Sequence, residues 1–220
     1  MNSIIKIGMP HLLGNGDLNL NQFAKITGDI HWQLQCGKPS GVVKNGKRVY
    51  NSFLRIECNI TDTFQEDDVL DIHSTSFPLD DYIYKSSHVF GKNSINMYTI
   101  GIHIDNHKIV KTSTTGTKDK SFWNSHKSSR KSIDTDRILN KHEFATYYLT
   151  DFNSAGILYC ANYLNFAFKY MNQEGFFSDI TCIDFFGNIQ PNEVVILGQQ
   201  DDNIIMQNKD NQPIAKFKLS

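Results

Sequence analysis

The stretch YLTDFNSAGILYCANYLNFAFKYM, residues 148–171, decides the fold. It opens at the end of a strand candidate, 144–149, turns through Asp151, Phe152, Asn153 and Ser154, and enters a helix expected over 155–171. That helix is apolar on nearly every face, interrupted only by Asn162, Asn165 and Lys169, and such a helix in a soluble protein is enclosed on most sides. Strand candidates follow it at 179–184, 193–197, 203–208 and 213–219. A buried helix followed by a run of antiparallel strands is an α+β layout, a curved sheet wrapping one helix.

The same plan is written upstream. A strand candidate at 4–8 leads through a loop with Pro10, His11, Gly14 and Gly16 into Leu20, Phe23, Ile26, Ile30 and Leu34, spaced at helical steps. Strand candidates follow at 52–60, 69–77, 94–104 and 108–117, with Asp105-Asn106 as the turn of a hairpin. The chain therefore reads as one unit over 1–118, a linker over 119–140 and a second unit over 141–220. Within the Ser/Lys/Asn-rich stretch near 118–136 the basic residues are diluted by serine and asparagine, which fits a solvated connector better than a phosphate-binding patch.

Composition narrows the function classes. A hydrophobic content of 40% is enough to fill a core, and a net charge of -1 gives no electrostatic case for nucleic acid. Cys36, Cys58, Cys160 and Cys182 form no CxxC pair, so neither a zinc ribbon nor a disulfide framework is expected. The N-terminal apolar run is too short for a secretory signal, and no stretch reaches the roughly 18 apolar residues of a membrane span. These features describe a soluble, cytoplasmic protein of a reducing compartment. His103 and His107 flank the expected turn instead of sharing a helix face, so no metal is expected.

The pattern Tyr148-x-x-Asp151-x-x-x-Ala155-Gly156-x-x-Tyr159-x-Ala161-Asn162-Tyr163-Leu164-x-Phe166 is similar to the signature of acyl-CoA thioesterases of the 4-hydroxybenzoyl-CoA type, a hot-dog superfamily. A glycine at the start of a helix lets a substrate carbonyl approach free backbone N–H groups, which can stabilise an oxyanion on a thioester. Where those thioesterases carry a catalytic carboxylate, this chain has Asn153, an amide that can hold an oxygen but cannot act as a base. Upstream, Met9-Pro10-His11-Leu12, Gly28-Asp29-x-His31-Trp32 and Tyr50-x-Ser52-Phe53, together with Asp151-Phe152-Asn153, resemble the double hot-dog acyltransferase/decarboxylases of leinamycin-type polyketide assembly. In that family the residue after the asparagine is usually glycine; here it is Ser154.

The resemblance implies a tandem hot-dog fold and an enzyme that takes a malonyl- or methylmalonyl-type group from coenzyme A, removes CO2 and passes the acyl group to an acyl carrier protein. It implies no tightly bound cofactor, the CoA thioester being substrate, and a monomer or homodimer. Motif position carries the family's catalytic tyrosine onto Tyr50, as acyl acceptor or as hydrogen-bond donor to the thioester oxygen. Asn153 would hold the enolate oxygen, and His11, in the loop matching Asp151 by internal symmetry, is a candidate donor with capping or packing as its alternative. Trp32, Ser52, Gly156 and Tyr159 are the substrate-binding candidates. His31 is expected near the end of the first helix as a partner of its dipole. Two other readings stand beside this one: an acyl-CoA or acyl-carrier thioesterase, and a non-catalytic acyl-binding protein.

Overall fold

The computed structural model describes residues 1–9, 20–35, 43–44, 47–79, 83–105, 108–111, 119–152 and 158–220. Of residues 21, 32, 35, 43–44, 47–51, 103–105 and 108–111 it describes the backbone alone. Chain packing divides into two compact units, Met1–His103 with Lys111–Gly116, and Ile104–Val110 with Thr117–Ser220.

The first unit contains β1 (Asn2–Lys6), α1 (Leu20–Gln35), β2 (Val43–Lys44), β3 (Lys47–Asn59), β4 (Val69–Pro78), β5 (Ile83–Phe90) and, as far as His103, β6 (Asn93–Asp105). β7 (Lys108–Lys111), next in the chain, pairs with β6; Asn106 of the expected turn lies outside the described residues. Its sheet has the order β1-β4-β5-β6-β3, and each of these pairs is antiparallel. Leu20, Phe23, Ala24, Thr27, Ile30 and His31 are buried along one stripe of α1, the three- and four-residue spacing of a helix laid on a sheet. Phe23 meets Phe90 at 4.9 Å between ring centroids, tying α1 to β5. An extra residue between Phe53 and Arg55 bulges β3 and bends that edge of the sheet.

The second unit contains α2 (Lys120–Lys131), a 3-10 turn at Thr135–Arg137, β8 (Leu139–Ala145), α3 (Tyr148–Asp151), α4 (Cys160–Glu174), β9 (Ile180–Phe185), β10 (Val194–Gln200), β11 (Asn203–Gln207) and β12 (Pro213–Leu219). Its antiparallel sheet has the order β9-β12-β11-β10-β8. α4 buries Ala161, Leu164, Phe166, Ala167, Tyr170 and Met171, and fully buried Val195, Leu197, Met206 and Phe217 supply the sheet's share of the core. α4 ends at Gly175, whose left-handed backbone (φ 71°) lets its N–H close the last turn on Asn172 and Met171.

Gly198 sits where the β8–β10 register shifts, and a Cβ there would meet Ile138 Cγ2 at 2.5 Å and the Leu139 carbonyl at 2.7 Å. Gly198→Ala should therefore push β8 off β10 and lower stability by roughly 1–3 kcal/mol, read from chemical denaturation. An unchanged midpoint would mean that this edge has slack the geometry denies.

The expected linker is different in structure. Residues 120–131 form α2, capped by Asp119, whose carboxylate accepts from the Phe122 N–H at 2.8 Å, and packed on β9 and β12. Buried Phe122 and the stacked His126, whose Nε2–H donates to the Phe185 carbonyl at 3.0 Å, hold it to the second unit. One aromatic turn is enough to dock a helix whose other positions are polar.

Candidate active-site elements

The segment leading into α4 is organised around Asp151. Its Oδ2 accepts from the Tyr147 N–H at 2.7 Å, capping α3, and its Oδ1 accepts from the Thr150 hydroxyl at 3.3 Å. Its main-chain carbonyl accepts from the Tyr159 N–H and from Asn162 Nδ2, both at 2.9 Å. Asn162 also donates to the Thr150 carbonyl at 3.3 Å, while its own Oδ1 accepts from Asn165 at 3.0 Å. Phe152 and Leu158 form an isolated antiparallel bridge, and the Leu158 N–H donates to Asn188 Oδ1 at 3.0 Å.

These bonds correct the helix start expected at Ala155. The first helical residue is Cys160, and its cap Tyr159 is extended (φ -66°, ψ 134°). The N–H groups of Leu158 and Tyr159 are engaged by Asn188 and Asp151, partners outside the helix, so helical bonding begins only beyond them. The described helix thus starts at Cys160, later than the expected Ala155. Within α4 the Tyr163 hydroxyl donates to the Gly187 carbonyl at 3.2 Å, and burial raises its pKa well above the ordinary phenol value. Burial, with the Glu174 carboxylate, pushes Tyr170 up to about 12.

His11, Asn153 and Gly156 lie outside the described residues. Tyr50 lies in β3 with its backbone opposite Ile102, two residues from half-buried Ser52, which is opposite Ile100. Trp32 lies in α1, and Tyr159 is the half-buried cap of α4, hydrogen-bonded to Asp151. Among the described candidates, Tyr50 and Ser52 thus share a strand, and Tyr159 joins the Asp151 cluster. Cys36 and His107 are likewise outside the described residues, while Cys160 is buried and Cys58 and Cys182 are half-buried.

His31 does not serve the helix dipole. It lies inside α1, fully buried, with Nδ1 2.6 Å from Ser86 Oγ and Nε2 3.3 Å from Thr99 Oγ1. Ser86 continues to His88 Nε2 at 3.0 Å, and His88 Nδ1 to Ser74 Oγ at 3.0 Å. The five residues run from β6 through α1 and β5 to β4, every one of them fully buried. The chain closes with both rings neutral: Thr99 donates to His31, His31 to Ser86, Ser86 to His88 and His88 to Ser74, or all four bonds run in reverse. Burial, and for His31 also the proximity of His88, lowers both imidazole pKa values to about 4. Sequence reading missed Ser74, Ser86, His88 and Thr99; the available signal was Ser86-x-His88, a period-two polar pair between Ile83 and Phe90.

Among the described residues no group of three or more His, Cys, Asp or Glu side chains is placed to hold a metal ion, and no helix is long and apolar enough to cross a membrane. No family model matches the chain, and no curated protein matches it in sequence. Solved structures do match it along its whole length. An acyl-ACP thioesterase from Bacteroides thetaiotaomicron superposes with a TM-score of 0.71 at 7% identity, covering 100% of this chain and 96% of its own. A 12:0-ACP thioesterase from Umbellularia californica gives a TM-score of 0.75 at 5% identity, covering 100% and 93%. At such identity the likeness speaks for architecture, and the chain has the tandem hot-dog fold: two successive units, each a curved antiparallel sheet around a central helix.

Proposed function

We propose that this protein is an acyl thioesterase, hydrolysing a thioester carried by coenzyme A or by an acyl carrier protein. The observation that carries this reading is the full-length correspondence with two acyl-ACP thioesterases, each covered over more than nine-tenths of its length. The local chemistry is compatible with it. In the stretch 148–171 the sole carboxylic residue is Asp151, which is half-buried and oriented by Tyr147 and Thr150 beside the α4 entrance. Such a carboxylate can take a proton from water as the oxygen attacks the thioester carbonyl; the C–S bond then breaks, the thiolate takes up a proton, and the products are acid and thiol. Tyr50 and Asn153 remain candidates for holding the carbonyl oxygen.

Asn153 supports a second reading, in which a malonyl-type thioester loses CO2 and its acyl group passes to a carrier. That reaction requires a home for an enolate oxygen and no general base at position 153. One experiment separates the two: incubation with acyl-CoA, acyl-carrier and methylmalonyl-CoA plus holo carrier, following free thiol and carrier mass. Release of thiol and free acid, reduced at least roughly 100-fold in Asp151→Asn with thermal stability retained, supports hydrolysis. A carrier bearing the decarboxylated acyl group, with transfer lost in Tyr50→Phe, supports the second reading. Unaltered thioesters throughout would leave the protein a non-catalytic acyl binder.

A further inference from the structure

The solvent face of α2 is a stripe of like charge. Lys120, Lys127 and Lys131 fall within about 40° of arc and span about 16 Å of helix, on the side opposite buried Phe122. All three are exposed, and none makes an ion pair among the described residues. Asn124, Ser128 and Ser121 flank the stripe on one side, uncharged and exposed, half-buried Trp123 and exposed Arg130 flank it on the other, and no acidic residue occurs between Lys120 and Ile133.

Helix stability does not account for this pattern. Cations in the last turn, Arg130 and Lys131, suit the helix dipole, but Lys120 stands at the first helical position, where the dipole opposes a positive charge. Asp119, the acid beside it, is engaged with the Phe122 N–H, and Lys127 and Lys131 are like charges one turn apart. The stripe is a local excess on a chain whose net charge is -1.

We propose that this face of α2 docks an acidic protein surface, that of the carrier domain presenting the acyl thioester. The identity of the partner rests on the thioester reading above; the sign of its charge rests on α2 alone. A convex helical face matches a macromolecular surface better than a small anion such as coenzyme A, which needs a concave site. Nucleic acid is the weaker fit, because half-buried Trp123, the ring beside Lys127, is already packed edge-on to Phe122 and His126. Three exposed ammonium groups facing carboxylates contribute steering and orientation, sensitive to salt.

The test is binding of an acidic holo acyl carrier protein, by calorimetry, to the full chain and to Lys120→Glu/Lys127→Glu/Lys131→Glu. The expected result is binding that weakens as salt is raised, and a loss of roughly tenfold or more in the variant. In turnover the variant should raise KM for acyl-carrier while KM and kcat for the matching acyl-CoA stay as they were. Carrier binding that is absent, insensitive to salt or equal in the variant overturns the proposal, as does a stripe whose reversal abolishes binding of duplex DNA but not of the carrier. If neither thioester is hydrolysed while salt-sensitive carrier binding is lost in the variant, the docking surface stands and the hydrolase reading fails.

Discussion

As pH falls from about 6.5 towards 4, α1 should loosen from its sheet. The sign follows from His31 and His88, whose pKa values are lowered to about 4 in the fold. Above 6.5 the rings are neutral in both folded and unfolded chains, and their contribution to stability is complete. Below 6.5 the unfolded chain takes up protons that the native interior refuses, so stability falls until the folded pKa is reached. One histidine held this way corresponds to about 3 kcal/mol, and the pair, coupled through Ser86, to less than twice that. Arg55 and Lys85 are both register partners of Tyr98, whose hydroxyl donates to Glu57, and so lie in the opposite strand phase from Thr99. Asp29 of α1 is exposed. Histidine NMR would show two imidazoles still neutral at pH 5.5, with amide exchange in α1 accelerating as pH drops. Two rings titrating normally near 6.5 would contradict the buried chain.

Removing one oxygen from the middle of that chain should be unusually costly. Ser86→Ala deletes the hydroxyl that bonds both His31 Nδ1 and His88 Nε2 in a fully buried layer. Ser74→Ala, at the end of the chain, deprives only His88 Nδ1. A buried polar group left without a partner costs about 1–3 kcal/mol, so the expected losses are about 2–5 kcal/mol for Ser86→Ala and about half as much for Ser74→Ala. Equal losses in urea denaturation would show that the two serines act independently.

The same residues explain what the sequence concealed. α1, and within a few residues β3, β4, β6 and β9–β12, follow from apolar spacing, because one face of each is apolar. β5 does not, since Ser86 and His88 occupy inward positions where alternation calls for hydrophobic residues. The fold satisfies them with hydrogen bonds instead of changing their register. α2 escaped for the opposite reason: one buried phenylalanine in a polar stretch is too little periodicity to read. α4 was legible as a buried helix, but its start was not. The apolar run through Ile157 and Leu158 continues the helical pattern, whereas the Phe152–Leu158 bridge and the extended Tyr159 are fixed by partners distant in sequence. Family motifs supplied the architecture and a set of candidates; of these, Tyr159 joins the cluster around Asp151, which geometry makes the organising residue of its segment.

A hydrogen-bonded chain that can run in two directions is a dipole that can reverse. Its two directions differ in the tautomer of both rings, so reversal requires each imidazole to give up one proton and take up another while the Thr99, Ser86 and Ser74 hydroxyls rotate, and the positive end then lies at β6 instead of β4. The layer beneath α1 is therefore polarisable in a way a hydrocarbon core is not. A charge near either end favours one of the two directions, and so one tautomer at both rings.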